Sequence, residues 1–151
     1  MDDQTSVMNF EPKDENFVEK VQASFSAQAM MKSIGAEITK IEAGAVDIQI
    51  SYQKDLTQQN GFVHAGIITA IADTACGYAA FTLMPKGADV LSVEFKVNLL
   101  SPAIGENFLA EGRVLRAGKT LTIVNGDVFA ISNDQRKHVA TMLATMMCLQ
   151  K

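Results

Sequence analysis

Two cysteines, Cys76 and Cys148, are all that the 151 residues contain. They stand far apart among apolar neighbours, so no disulfide framework is encoded, and both read as reduced thiols of a cytoplasmic protein. The two histidines, His64 and His138, show no ligand spacing with the cysteines, which argues against structural zinc; no cofactor is expected. Positive charge is also scarce. Thirteen Lys and Arg face 17 Asp and Glu, a net charge of -4, which leaves no basic surplus for a phosphate backbone, so nucleic acid is not an expected partner. The N-terminal stretch MDDQTSVMNFEPKDENF lacks the basic start and short apolar run of a secretory leader. Phosphate-loop, G-x-G-x-x-G, G-x-S-x-G and H-E-x-x-H patterns are all missing. No repeat, low-complexity stretch or linker divides the chain. The expected organisation is a flexible lead-in over residues 1–13 and one domain over 14–151, with 48% hydrophobic residues to fill a single core.

Periodicity supplies the elements. From Asp14, the positions Phe17, Val21, Phe25 and Ala29 recur every fourth residue, with Val18 and Met30 beside them, predicting one amphipathic helix that stops near Gly35. Val46, Ile48, Ile50 and Tyr52 alternate with Asp47, Gln49, Ser51 and Gln53, the period of a half-buried strand, and residues 36–42 make its hairpin partner through Ala43-Gly44. Leu91, Val93, Phe95, Val97 and Leu99 alternate with Ser92, Glu94, Lys96 and Asn98, which sets Ser92 on the polar side. Further β-type stretches cover 106–116, 119–132 and 137–149. The connections at 101–105, 117–118 and 133–135 are short, and short links predict antiparallel neighbours, hence a four-strand meander.

Between the two strand groups, residues 65–84, AGIITAIADTACGYAAFTLM, carry one charge and are apolar on every face up to Pro85. Their length approaches that of a membrane span, but Asp73 near the midpoint would cost ~2.5–3.5 kcal/mol on insertion scales, and Ala, Gly and Thr dilute the apolar signal. No membrane partner is expected. A helix apolar all round must be enclosed by other structure, and the long strands are the available wrapping. The fold class is therefore α+β, a curved antiparallel sheet of five to six strands around a central buried helix.

Chemistry concentrates in Gln58-Gln59-Asn60-Gly61-Phe62-Val63-His64-Ala65-Gly66, which runs into that helix, and in Asp73 within it. A helix N-terminus presents unpaired N–H groups and a positive dipole end, so the amides around Ala65 and Gly66 suit a carbonyl oxygen that must be polarised. A carboxylate sunk among apolar side chains needs a partner or a purpose, and desolvation suits Asp73 to work as a base. The bland alternatives are a turn at Gly66, a capping His64 and a structural Asp73 bonded to Thr69 or a loop. Nine residues separate His64 from Asp73, about 180° of rotation and ~13.5 Å of rise, so one helix cannot bring both its tip and its carboxylate to one reacting centre. If both act, the tip comes from a second chain, and the active form is at least a homodimer. Met142, Met146 and Met147 hint at an adaptable pocket.

His64-Ala65-Gly66 with Gly61 before it, Ala72-Asp73 after it, then Ser92-Val93-Glu94-Phe95 and Ser101-Pro102-Ala103, resemble the hotdog-fold acyl-CoA thioesterases of the PaaI-like, phenylacetic-acid-degradation type over roughly residues 35–149. The resemblance implies a hotdog domain acting on acyl-CoA, with sites at a dimer interface and dimers paired into tetramers. It also implies Asp73 as nucleophile or general base, the N–H of Ala65 or Gly66 of the other subunit on the thioester oxygen, His64 shaping that loop, Gln58 orienting water and Ser92 assisting. Arg116, Gly118 and Lys119, with Asn60 and Gly61, would contact coenzyme A, which is part of the substrate. Two positions depart from the pattern: Ala65 where many members have Gly, and Gln58 where relatives often have Asn. Two other readings use the same groove, a non-catalytic acyl-CoA-binding dimer and a hotdog 3-hydroxyacyl thioester dehydratase. The latter's His-Phe-Pro and Pro-Gly signals do not occur around His64.

Overall fold

The computed structural model describes residues 8–150. Helices α1 (Phe17–Ala27) and α2 (Ala29–Ser33) are followed by strands β1 (Glu37–Glu42) and β2 (Ala45–Ser51). The long helix α3 (Ala65–Phe81) precedes β3 (Asp89–Leu99), β4 (Asn107–Ala117), β5 (Leu121–Ser132) and β6 (Gln135–Leu149). All six strands form one antiparallel sheet in the order β1-β2-β4-β5-β6-β3. The α+β class, the six-stranded sheet and the enclosed helix match the sequence expectation, and no described helix is long and apolar enough to cross a membrane.

Alternation decides which face of the sheet meets α3. Ile48, Ile50, Phe108, Ala110, Val124, Val128, Met142 and Met146 are each 2% exposed or less, and they pack against Ile71, Ala72, Ala75 and Ala79 of the helix. The helix lies directly on sheet backbone where side chains are missing. A Cβ on Gly112 would fall 2.3 Å from the carbonyl oxygen of Ala75, and one on Gly126 would fall 2.6 Å from Cys76 Sγ. The first contact is with main chain and requires glycine; the second is with the Cys76 thiol, which would have to shift.

Three sequence expectations fail in detail. The four-strand meander is only β4-β5-β6: β3 crosses to the far edge and pairs with β6, leaving β5 and β6 between it and β4. Three strand spacings of about 4.8 Å are within reach of the seven residues 100–106, so a short link need not join neighbours. The single N-terminal helix is broken at Gln28, whose ψ of 103° is extended. The break rotates the apolar face, so that Ala29 and Met30 are exposed while Met31 (1%) and Ile34 (5%) are buried. Tyr52 lies past the end of β2 and is 43% exposed. Asp47 keeps the polar face assigned to it but is only 8% exposed there, where Arg113 of β4 pairs with it.

The expected lead-in falls outside the described residues up to residue 7. Of the rest, Phe10 packs against the core at the β1-β2 turn.

Candidate active site

The loop before α3 is fixed by its own hydrogen bonds. Gln58 N–H donates to Phe62 O, Gly61 N–H to Gln58 O, Val63 N–H to Ala103 O and His64 N–H to Leu56 O. This sets His64 as the N-cap, with extended backbone, and its Nδ1 accepts from Gly66 N–H at 2.8 Å. An accepting Nδ1 carries no proton, so the hydrogen of the neutral ring sits on Nε2.

The first four amides of α3 therefore divide unequally. Ile67 and Ile68 both donate to His64 O, at 2.9 and 3.2 Å, and Gly66 is taken by the imidazole. Only Ala65 N–H has no acceptor among the described residues. It borders a cleft of about 410 Å³ lined by Gln58, Phe62, Leu99, Pro102 and others. Of the two amides expected at this tip, the fold leaves Ala65 open and closes Gly66. Gln58 is half-buried there; its Oε1 accepts from Asn60 N–H, and its Nε2 keeps its donors for a water. Asn60 and Gly61 form the exposed corner of the same loop.

Asp73 lies on a different flank. It is half-buried, and its Oδ1 accepts from Ser92 Oγ at 2.7 Å. The strict alternation expected for β3 sends Ser92 to the polar side, and the structure corrects this. A bulge shifts the register between Ser92, opposite Met146, and Glu94, opposite Thr145. Directly paired residues share a face, and Met146 is 0% exposed, so Ser92 points toward α3 while Glu94 and Lys96 turn outward.

Asp73 and Ser92 line a cleft of about 340 Å³ between α1-α2, α3 and β3. Its walls include Met30, Met31, Gly77, Phe81 and Val90. The methionines lining this cleft are Met30 and Met31; of those expected in a pocket, Met142 and Met146 are buried at 1% and 0%, Met142 reaching a separate outer pocket beside Asn125 and Met146 placing its sulfur 3.3 Å from Ser92 Oγ, while Met147 is half-buried. At the cleft's side, Tyr78 Oη meets Ser24 Oγ at 3.1 Å and accepts from Gln28 Nε2 at 3.0 Å, which ties α1 to α3. Sequence reading passed over all three. The signal was Tyr78 itself, the one hydroxylated aromatic on an otherwise apolar helix.

Ala65 and Asp73 open into separate clefts of one chain, and His64 with Gly66 borders a third, beside Leu56 and Thr57. Arg116 and Lys119 are exposed at the β4-β5 turn without an ion pair among the described residues, and Gly118 N–H closes that turn on Leu121 O. Among the described residues no group of three or more His, Cys, Asp or Glu is placed to hold a metal ion. Cys76, on α3, has its thiol pushed upward, first by burial and then by the charges of Asp73 and Asp127.

Comparison with known proteins agrees with this architecture. The solved structure of a thioesterase family protein from Silicibacter pomeroyi superposes with a TM-score of 0.88 at 44% identity, over 89% of this chain and 99% of that one. The PaaI protein of the E. coli phenylacetic acid degradation operon superposes with a TM-score of 0.78 at 20% identity, over 87% and 92%, and so shares the fold. A Saccharolobus solfataricus protein whose name provisionally makes it an esterase is 33% identical over 98 residues, 65% of this chain and 69% of that one. Homo sapiens acyl-coenzyme A thioesterase 13 is 27% identical over 113 residues, 73% and 79% of the two chains. Residues 60–136, from the loop before α3 to the start of β6, match the model of the thioesterase superfamily. A hotdog sheet closed around a helix that carries His64 at its tip and Asp73 on its flank thus belongs, with this chain, to the thioesterase superfamily.

Proposed function

We propose that the chain hydrolyses acyl-CoA thioesters to free acid and coenzyme A, with Asp73 as nucleophile or general base. The observation that carries this reading is the Asp73 carboxylate, bonded to Ser92 and facing a cleft of about 340 Å³, on a helix otherwise devoted to core packing. The open N–H of Ala65 is the matching electrophilic element, a fixed donor at a helix tip where a thioester oxygen gains negative charge. Because the two open into separate clefts, the reacting pair is Asp73 of one subunit and Ala65 of the partner subunit, and the active form is at least a dimer.

The β3 edge supports that assembly. It is a free edge on which Leu91, Val93 and Phe95 are each more than 40% exposed, and a long apolar edge strand invites pairing with another copy. Arg116 and Lys119 are the cations assigned to the coenzyme A phosphates. The unbridged thiols Cys76 and Cys148 fit a reducing cytoplasmic setting.

The test is turnover of an acyl-CoA panel, read by release of free thiol, for wild type and Asp73→Asn. The substitution is expected to lower kcat by roughly 10²–10⁴-fold. Equal rates would remove Asp73 from the chemistry. Light scattering that finds a monomer at micromolar concentration would remove the shared site.

A further inference from the structure

We propose that Gly77 sets the depth of the acyl compartment, and that the chain accordingly takes medium-length or ring-bearing acyl groups rather than acetyl. This rests on the reading of the Asp73 cleft as the acyl site. Gly77 lies four residues beyond Asp73, one turn along the same face of α3 and about 6 Å from it. Both residues line the cleft, with Phe81 a further turn on.

The fold itself does not ask for glycine here. A Cβ built on Gly77 meets no atom within 4 Å, whereas at Gly112 and Gly126 it would collide with the helix. Gly77 sits inside a regular α-helix, where no left-handed backbone requires it. Glycine in a helix interior is disfavoured relative to alanine, and this helix uses alanine at Ala72, Ala75, Ala79 and Ala80, each fully buried. The space at Gly77 is open cleft. What the missing side chain provides is room beyond the carboxylate, with Met30, Met31, Phe81 and Val90 as its apolar walls and Thr74 and Asp89 among its polar lining. Those walls suit an apolar group that runs past the reacting carbon; an acetyl group would leave them unfilled.

The experiment compares wild type, Gly77→Ala and Gly77→Val by thermal unfolding, by turnover of acetyl-, octanoyl- and phenylacetyl-CoA, and by calorimetric binding of the unreactive thioethers S-ethyl- and S-octyl-CoA. Wild type is expected to favour the larger groups. Gly77→Val should lower the octyl-to-ethyl preference, in both binding and kcat/KM, by about 10-fold or more, the loss of a few buried methylenes. Gly77→Ala should raise the Tm and lower the preference by a smaller factor, which keeps the test open if the valine variant does not fold. An unchanged chain-length profile in the variants, or a fall in Tm on Gly77→Ala, overturns the role of Gly77 while leaving the thioesterase reading intact. Wild type that neither binds nor cleaves any CoA derivative overturns both.

Discussion

Ser92 of β3 and Asp73 of α3, 19 residues apart in sequence, meet at 2.7 Å because a bulge in β3 turns the serine toward the helix. The hydroxyl donates and the carboxylate accepts, so Ser92 fixes one oxygen and leaves the other to the cleft. Ser92→Ala is expected to lower kcat roughly 10-fold, in line with a hydrogen bond to a charged group, while KM changes less than about twofold. Ser92→Thr should recover part of the loss. Steady-state kinetics on a preferred acyl-CoA separates the two constants, and a change confined to KM would exclude the positioning role.

Gly112 of β4 lies against the backbone of α3, and an added methyl would lie 2.3 Å from the Ala75 carbonyl oxygen. Alanine is otherwise the better strand residue, so the sign of the effect reports the contact. Gly112→Ala should destabilise by about 2 kcal/mol or more and lower Tm by roughly 5 °C, measured by calorimetry. A neutral or stabilising outcome would mean that the helix does not rest on the sheet there.

Lys20 carries a pH signature. Its ammonium donates to Met84 O at 2.8 Å, lies 3.6 Å from Asp14 and sits 4.5 Å from the centre of the Phe81 ring. Burial pulls its pKa below the ordinary 10.5, and Asp14 only partly restores it. Between the folded value and 10.5 the unfolded chain binds more protons than the folded one, so this group makes stability rise with pH in that window. Urea unfolding from neutral pH to 10.5 should show wild type gaining on Lys20→Met as pH increases. A difference independent of pH would refute the account.

The two thiols should react on different timescales. Cys76 is 0% exposed with its thiol pushed upward, and Cys148 is half-buried. Native protein treated with a disulfide reagent is expected to label Cys148 quickly and Cys76 only as the structure opens. Cys148→Ser should abolish the fast phase, and rapid labelling of Cys76 would show that the helix is less enclosed than described.

Much of this was legible in the sequence because a period is a local property. The uniform apolarity of residues 65–84 identifies an enclosed helix, alternation identifies β2 and β3, β-type composition identifies β4 to β6, and a single charge marks Asp73. What was illegible depends on partners. Alternation cannot show that Val93 is an extra residue opposite Met146 and Thr145, so Ser92 reads on the wrong face. Loop length cannot show that β3 leaves the meander for the far edge. The amide of Gly66 looks as available as that of Ala65 until the His64 ring is seen to close it. Gly77 is silent in sequence, because only a built neighbourhood distinguishes a glycine that avoids a collision from one that leaves a space.

The seating of α3 on Gly112 and Gly126 bears on how a substrate enters. A rod seated on the sheet through the Gly112–Ala75 main-chain contact, with the Cys76 thiol over Gly126, has little room to slide or roll to widen the groove at its flank. The opposite wall, the α1-α2 cover, is held more lightly: it turns at the extended Gln28 and is tied to α3 by the Ser24 and Gln28 bonds to Tyr78. The chemistry is thereby mounted on the immobile half of the molecule, and admission is left to the half that can yield without disturbing the carboxylate.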